Sequence, residues 1–501
     1  MDADKKLPVG YDDFATIVRN NCIFADKTDL IYKIINTEAL YFLSRPRRFG
    51  KTLLLSVIEA IFEGCRELFK GLWIYDQPFD WTPRQVIHIK LYSANSRTPD
   101  TLETSLADRI KRIADMKNIQ LNYKSSSDLF AALIEKLSAK KEKNVVVLID
   151  EYDAPILAHI ENKRRAEEIR ATLSKFYGVL KETGKYVRFG FITGVTRFSK
   201  TSLFSGLNNL NDITLDKSYA NILGFTIDEF NSLFQKQMEK SLPELITAKR
   251  LKDGATLEDL KSKLFAWYDG YSWDGKTRTL NPWSVILFFD KNEYAPFWYE
   301  SGTPTFLKKL IVKRRLDLAL LKQQNAYANA MGYMDIGDKL DVRALLFQTG
   351  YLTIGTIDAQ NPNAIQYYPR FPNLEVEASL IPLFLLLDNS LMDPFLLRIQ
   401  AKAMLNSITR QDSSGFESAF ESLLSQIPFD LHFGFEAYYN TIFLFAMSLA
   451  EQHGDAQGSV GDGKFDFHIR TSDGNDYIIE IKYVKLSSSQ LKLPASEKRT
   501  Y

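Results

Sequence analysis

Three stretches of the chain carry residue types whose spacing could do chemistry. The first is Ser44-Arg45-Pro46-Arg47-Arg48-Phe49-Gly50-Lys51-Thr52. Glycine, lysine and a hydroxyl residue at the start of a helix suit phosphate, because consecutive backbone N–H groups converge there at the positive helix end. Lys51 would reach the β- and γ-phosphates, and the Thr52 hydroxyl would hold Mg²⁺. Arg48, Phe49, Gly50, Lys51 and Thr52 are therefore the candidate nucleotide-binding loop. The pattern G-x-x-x-x-G-K-[ST] lacks its first glycine, since Ser44 or Arg45 stands near that place. Taken alone, the string also suits an ordinary basic surface turn.

The second stretch, NVVVLIDEYD at 144–153, ends an apolar run with acids. Charge at the end of a buried strand is costly unless it has a partner or a task. In a Walker B arrangement Asp150 holds Mg²⁺ through water, and Glu151 orients and activates the attacking water. Two acids in a solvated loop are the plainer alternative. The third stretch, FITGVTR at 191–197, places Thr193 at a strand end with Arg197 close behind. Both could meet a γ-phosphate, Thr193 as a sensor and Arg197 by stabilising transition-state charge. A simple strand-end turn explains them equally.

These residues need a strand–loop–helix frame, and the sequence supplies one. Residues 39–43 read as a strand broken by Pro46 and Gly50. A helix follows with Leu53, Leu54, Val57, Ile58, Ile61 and Phe62 on one face. Upstream, residues 7–35 suggest a short leading segment and a helix. Further strands are expected at 85–92, 144–149 and 186–193, with helices near 100–118, 126–140 and 162–183. Strands alternating with helices predict a parallel, doubly wound α/β sheet. Continuous apolar runs at 145–149 and 189–192 match strands buried on both faces.

From about 225 the pattern turns helical. A helix near 341–347 and strands at 350–354 and 364–368 suggest a winged-helix-like module. Residues 376–427 read as helical, and 433–485 as a helix followed by a strand hairpin. The domains expected are 1–224 with the phosphate loop, 225–380 as a helical and winged-helix-like region, and 381–501 as a small α/β domain.

A chain of 501 residues exceeds one core and implies two or three domains. Hydrophobic residues at 45% and charged residues at 25% fit a globular protein, and 13% aromatics argue against disorder. A net charge of +1 gives no global field toward nucleic acid or membrane, so any DNA contact needs a local patch. Two cysteines, Cys22 and Cys65, and five scattered histidines make a disulfide framework or a Cys/His zinc site unexpected. The N-terminus has no apolar signal-peptide core. The longest apolar stretch, Leu380–Leu387, is far short of the ~20 residues of a membrane span. A cytoplasmic, reducing compartment is the expectation.

Several strings together resemble the AAA-ATPase-like family found mostly in bacteria: RPRRFGKTLLLS at 45–56, VVLIDEYDAPI at 146–156 and ITGVTRFSKTSLFSGLNNLNDIT at 192–214. FADKTDLI at 24–31, DGYSWDGKTRTLNPWSV at 269–285 and LFQTGYLTI at 346–354 extend the likeness along nearly the whole chain. The resemblance implies ATP binding and hydrolysis, and a P-loop without its first glycine. Arg45, Arg47 and Arg48 fall in the family's extended loop.

It also implies a C-terminal nuclease-type domain of the PD-(D/E)xK superfamily, in which carboxylates hold Mg²⁺ beside a lysine. An Asp on one hairpin strand and Glu-x-Lys on the next match Asp466, Glu480 and Lys482 here. The turn contains Asp473-Gly474. If 471 pairs with 475, Asp466 lies opposite Glu480, and Lys482 shares their face. Glu436, in a helix expected over Phe435–Leu449, resembles a further acidic metal ligand. The family continues with another helix that often bears Gln, whereas Leu486–Tyr501 is polar and Pro-interrupted, so an abbreviated nuclease domain is expected. The functional expectation is an ATPase whose nucleotide state is coupled to Mg²⁺-dependent cleavage of DNA or RNA. The alternative is an ATP-driven switch with an inert nuclease-like end. No membrane partner is expected, and an oligomer is possible.

Overall fold

The computed structural model describes residues 5–37, 39–138, 144–198, 203–204, 207, 209–298, 326–327, 333, 341–359, 365–377, 379, 394–425, 439, 442–443, 446–447, 450, 454–460, 463–470 and 475–479. Two compact units are present: Met1–Thr303 with Ala326–Tyr368, and Pro304–Asn325 with Pro369–Tyr501.

The first unit is built on five parallel strands, β1 (Leu40–Ser44), β2 (Gln85–Lys90), β3 (Val145–Asp150), β4 (Val187–Gly194) and β5 (Leu210–Asp212). Their order is β2-β3-β4-β1-β5. This is an α/β fold, a parallel sheet flanked by helices. The apolar runs at the centre are buried on both faces, and Val145 through Ile149 have no exposed surface. In chain order come helices α1 (Phe14–Arg19), α2 (Thr28–Ile35), α3 (Lys51–Phe62), α4 (Pro99–Met116), α5 (Ser126–Ser138), α6 (Ala154–Leu157) and α7 (Lys163–Glu182). Of these, α3 packs across β2, β3 and β4, while α4, α5 and α7 pack on one another. From β1 the chain runs outward to the edge strand β2, returns through β3 and β4, and crosses to β5 beyond β1. Such a reversal opens a crevice at the carboxyl ends of the strands, where open α/β sheets bind ligands.

Three long helices follow in the same unit, Ile227–Thr247, Leu257–Tyr268 and Pro282–Lys291. The first two begin with capping boxes, Thr226 with Glu229 and Thr256 with Asp259. Each box satisfies amide donors that a helix start leaves unpaired. Their aromatic faces form one core, with Phe230, Phe234, Tyr268 and Phe288 fully buried. The helix Val342–Thr349 ends on Gly350 in the left-handed region and leads to β7 (Thr353–Asp358) and β8 (Gln366–Arg370). With β6 (Ala326–Tyr327) these form a three-stranded sheet in the order β6-β8-β7.

The second unit contains a packed helix pair, Pro394–Thr409 and Ser413–Ser425, and an antiparallel sheet of β9 (Gly454–Val460), β10 (Gly463–Arg470) and β11 (Asp476–Ile479). Phe467 pairs with Ile479 and Arg470 with Asp476. Of the metal and catalytic candidates here, Asp466 is a backbone position within β10. Glu436, Glu480 and Lys482 lie outside the described residues.

Candidate nucleotide site

β1 delivers the loop to the carboxyl end of the sheet. Arg45 N–H donates to the Gly194 carbonyl, 3.2 Å away, as the strand ends. The turn into α3 uses left-handed backbone at Arg48 (φ 68°) and Gly50 (φ 88°). Glycine suits the second position because such torsions strain a residue bearing a Cβ. The space where that Cβ would point is open. Gly50 caps α3 with no side-chain hydrogen bond, so no side chain of the cap occupies the helix's first N–H groups. Free amides at the positive end of a helix are what an anion requires.

Lys51 is buried, and its ammonium donates to the carbonyls of Arg45 (3.0 Å) and Pro46 (2.8 Å). Burial pushes its pKa down, opposed by the carboxylates of Glu151, Asp150 and Asp153. Thr52 Oγ1 donates to Asp150 Oδ2 at 2.7 Å, which joins the loop to the end of β3. The other oxygen, Asp150 Oδ1, is buried without a hydrogen-bond partner among the described residues. Glu151 follows with φ 53°, a left-handed torsion uncommon for a non-glycine residue and frequent at functional sites. Burial raises its carboxyl pKa, and nearby Lys51 opposes the rise. A cavity of about 600 Å³ opens over Gly50, Lys51, Thr52, Asp150 and Glu151 and extends to Trp283. That volume is within the ~300–1,000 Å³ of small-molecule and cofactor sites.

The candidates from the β4 end are bonded elsewhere. Thr193 is fully buried and its hydroxyl donates to the Leu43 carbonyl at 2.8 Å. Arg197 Nε lies 2.5 Å from Asp212 Oδ2, and its guanidinium covers the Tyr333 ring at 4.1 Å. Its backbone N–H donates to Gln348 Oε1. Phe49 turns its side chain into the core against Tyr271 and Trp273, and Arg48 stacks on Trp283. Any phosphate contact from Phe49 is therefore left to its backbone.

The sequence alone assigns two supporting residues no role. Asp153 is buried, accepting from the N–H groups of Val195 (3.1 Å) and Thr196 (2.6 Å) and from the Thr196 hydroxyl. It straps the turn after β3 to the turn after β4. Gly194 leaves room for it, since a Cβ there would stand 2.3 Å from Asp153 Oδ1. Arg45 is the other: its guanidinium is wholly buried, and desolvation lowers its pKa to about 9. A third acid four letters into an already acidic DEYD string, and one arginine among three, carry no distinguishing local pattern.

Among the described residues no group of three or more His, Cys, Asp or Glu could hold a metal alone. Nor is any helix among them long and apolar enough to cross a membrane.

Comparison with known proteins supplies a family. The family model described as Predicted AAA-ATPase matches residues 8–204, the span that contains the loop, β3 and β4. An Azotobacter chroococcum mcd 1 protein, described as an uncharacterized protein in the vnfD 5' region, is 33% identical over 504 aligned positions, 99% of this chain and 93% of that protein. No solved structure matches. The chain therefore belongs to the same family as that Azotobacter protein, and its residues 8–204 form an AAA-ATPase-like domain.

Proposed function

We propose that the first unit binds ATP with Mg²⁺ at the Gly50–Thr52 turn and hydrolyses it. The observation that carries this reading is the 2.7 Å hydrogen bond between Thr52 Oγ1 and Asp150 Oδ2. It places a hydroxyl from the loop and a carboxylate from a neighbouring part of the sheet together beneath a helix start with no side-chain cap. The orphaned Asp150 Oδ1 fits a hard cation that takes oxygen ligands and keeps several waters. Thr52 and Asp150 would hold Mg²⁺, which when bound neutralises charge on the β- and γ-phosphates. The amides around Gly50 would wrap the phosphates, and Lys51 would leave its two carbonyl partners to reach them. Glu151 would accept the proton of the attacking water.

The test is turnover of radiolabelled ATP together with thermal unfolding, for the wild type and Lys51→Ala. A bound ligand stabilises by mass action, about 2.7 kcal/mol at a hundredfold excess over Kd. Wild type should turn over ATP and melt higher with Mg²⁺-ATP, and Lys51→Ala should lose both effects. A wild-type chain with neither would refute the reading.

A second reading couples this ATPase to a metal-dependent nuclease acting on DNA or RNA. The observation in its favour is the β10–β11 register, in which paired residue numbers sum as they would if 471 paired with 475. Mg²⁺-dependent plasmid and RNA cleavage by wild type and Glu480→Ala decides it. ATP turnover without cleavage would leave the switch alternative.

A further inference from the structure

Resting on the nucleotide reading, we infer that Arg45 is the positioning residue of the phosphate cradle, holding the loop from beneath where a phosphate loop ordinarily begins with glycine. Nη1 donates to the carbonyls of Ser44 (2.9 Å) and Thr214 (2.8 Å), and Nη2 to that of Tyr219 (3.3 Å). The guanidinium carbon lies 4.1 Å from the centroid of the Trp273 ring. A planar fork that bonds several acceptors and stacks on an indole is a geometry lysine does not reproduce. These contacts fix the head of the loop to the chain after β5 and to the segment around Trp273.

The same residue acts on the other side of the loop. Its own carbonyl, with that of Pro46, accepts from Lys51. The side chain of Arg45 therefore sets where that carbonyl pair stands, and the pair sets where the Lys51 ammonium waits. Phe49 reinforces the arrangement by packing edge-on against Tyr271 and Trp273. Arg45 touches no phosphate: it is buried and is not among the residues lining the cavity over Gly50, and it works through the backbone. Its anchors Thr214, Tyr219 and Trp273 all lie beyond residue 204, so the cradle depends on chain outside the matched span.

The experiment measures Kd for Mg²⁺-ATP and for tripolyphosphate on full-length wild type, Arg45→Ala and Arg45→Lys, each with and without low-millimolar guanidinium chloride. A loop no longer held in its binding shape must be ordered when the ligand arrives, at about 0.5–1.5 kcal/mol per immobilised side chain, so Arg45→Ala should weaken both ligands about tenfold or more. Equal loss for the two ligands identifies the phosphate cradle. Guanidinium should refill the vacated site and bring Kd back to within about threefold of wild type, while leaving the wild type unchanged. Arg45→Lys, which keeps the charge, should stay weakened and serves if the alanine variant fails to fold. Variants that are folded by near-ultraviolet circular dichroism and bind with wild-type Kd would overturn the inference, as would a weakened Arg45→Ala that guanidinium does not restore. A wild-type chain that binds neither ligand would instead sink the nucleotide reading itself.

Discussion

β3 and β4 are hydrogen-bonded neighbours with Ile149 paired to Ile192, so Asp150 and Thr193 stand one step further at the same sheet edge. Each strand end offers polar groups that could face a phosphate. At β3, Asp150 keeps one buried oxygen without a partner among the described residues, and Glu151 is held in a left-handed torsion. At β4, the Thr193 hydroxyl is spent on Leu43 and Arg197 on Asp212 and Tyr333. Residue type and position are alike suited to chemistry at both ends. What separates them is where the hydrogen bonds already go. On the proposed reading, unmet capacity makes the β3 end the candidate for chemistry, and satisfied capacity makes the β4 end a candidate scaffold.

The comparison is broken most directly at Glu151. Glu151→Gln should lower ATP turnover by about 10²–10⁴, the usual worth of a positioned general base, and leave Mg²⁺-ATP affinity nearly intact. A turnover loss under threefold would remove Glu151 from the mechanism. The same residue predicts the acid side of the pH profile. Burial raises its carboxyl above the ordinary 4.5, and the base must be deprotonated, so kcat should climb through a limb lying above pH 4.5. Stability runs the opposite way. A carboxyl whose folded pKa is raised holds its proton more tightly in the folded state. Its contribution is present below the ordinary value and is lost as pH rises through the raised one. Chemical denaturation at pH 7 should find Glu151→Gln more stable than wild type. A less stable Gln variant would contradict the burial argument.

Arg197 sharpens the comparison from the other side. Its side chain is 12% exposed and that of Asp212 6% exposed. Removing one partner of a buried ion pair strands the other charge and costs about 3–5 kcal/mol. Arg197→Ala should show that loss in urea unfolding, with ATP turnover per folded molecule reduced less than about threefold. Full stability with abolished turnover would return Arg197 to the catalytic role its sequence position suggests.

Much of this framework is readable in the sequence, because strong patterns have local causes. The apolar runs at 144–149 and 186–193 mark β3 and β4, and the one-faced spacing from Leu53 to Phe62 marks α3. β5 is not readable: Leu210–Asp212 has three residues and one apolar side chain, too few for a period to show. Lys51, Thr52, Asp150 and Glu151 are legible as candidates because loop chemistry and a strand end announce them. Asp153 and Arg45 are not, since their partners lie 43 and 169 residues away in sequence. The occupation of Thr193 and Arg197 is hidden for the same reason, being decided by a carbonyl on β1 and a carboxylate on β5.

Thr193 gives the finest test of the contrast. A hydroxyl carries a single proton, and here it goes to the Leu43 carbonyl. In that state it has none to donate to a phosphate. Thr193→Val keeps the volume and shape in a fully buried place and deletes only the hydrogen bond, so stability should fall by about 1 kcal/mol. ATP turnover should stay within about twofold of wild type, and Kd for Mg²⁺-ATP likewise. If turnover drops tenfold while Kd holds, the hydroxyl must leave Leu43 during the reaction, and β4 would then share the chemistry proposed for β3.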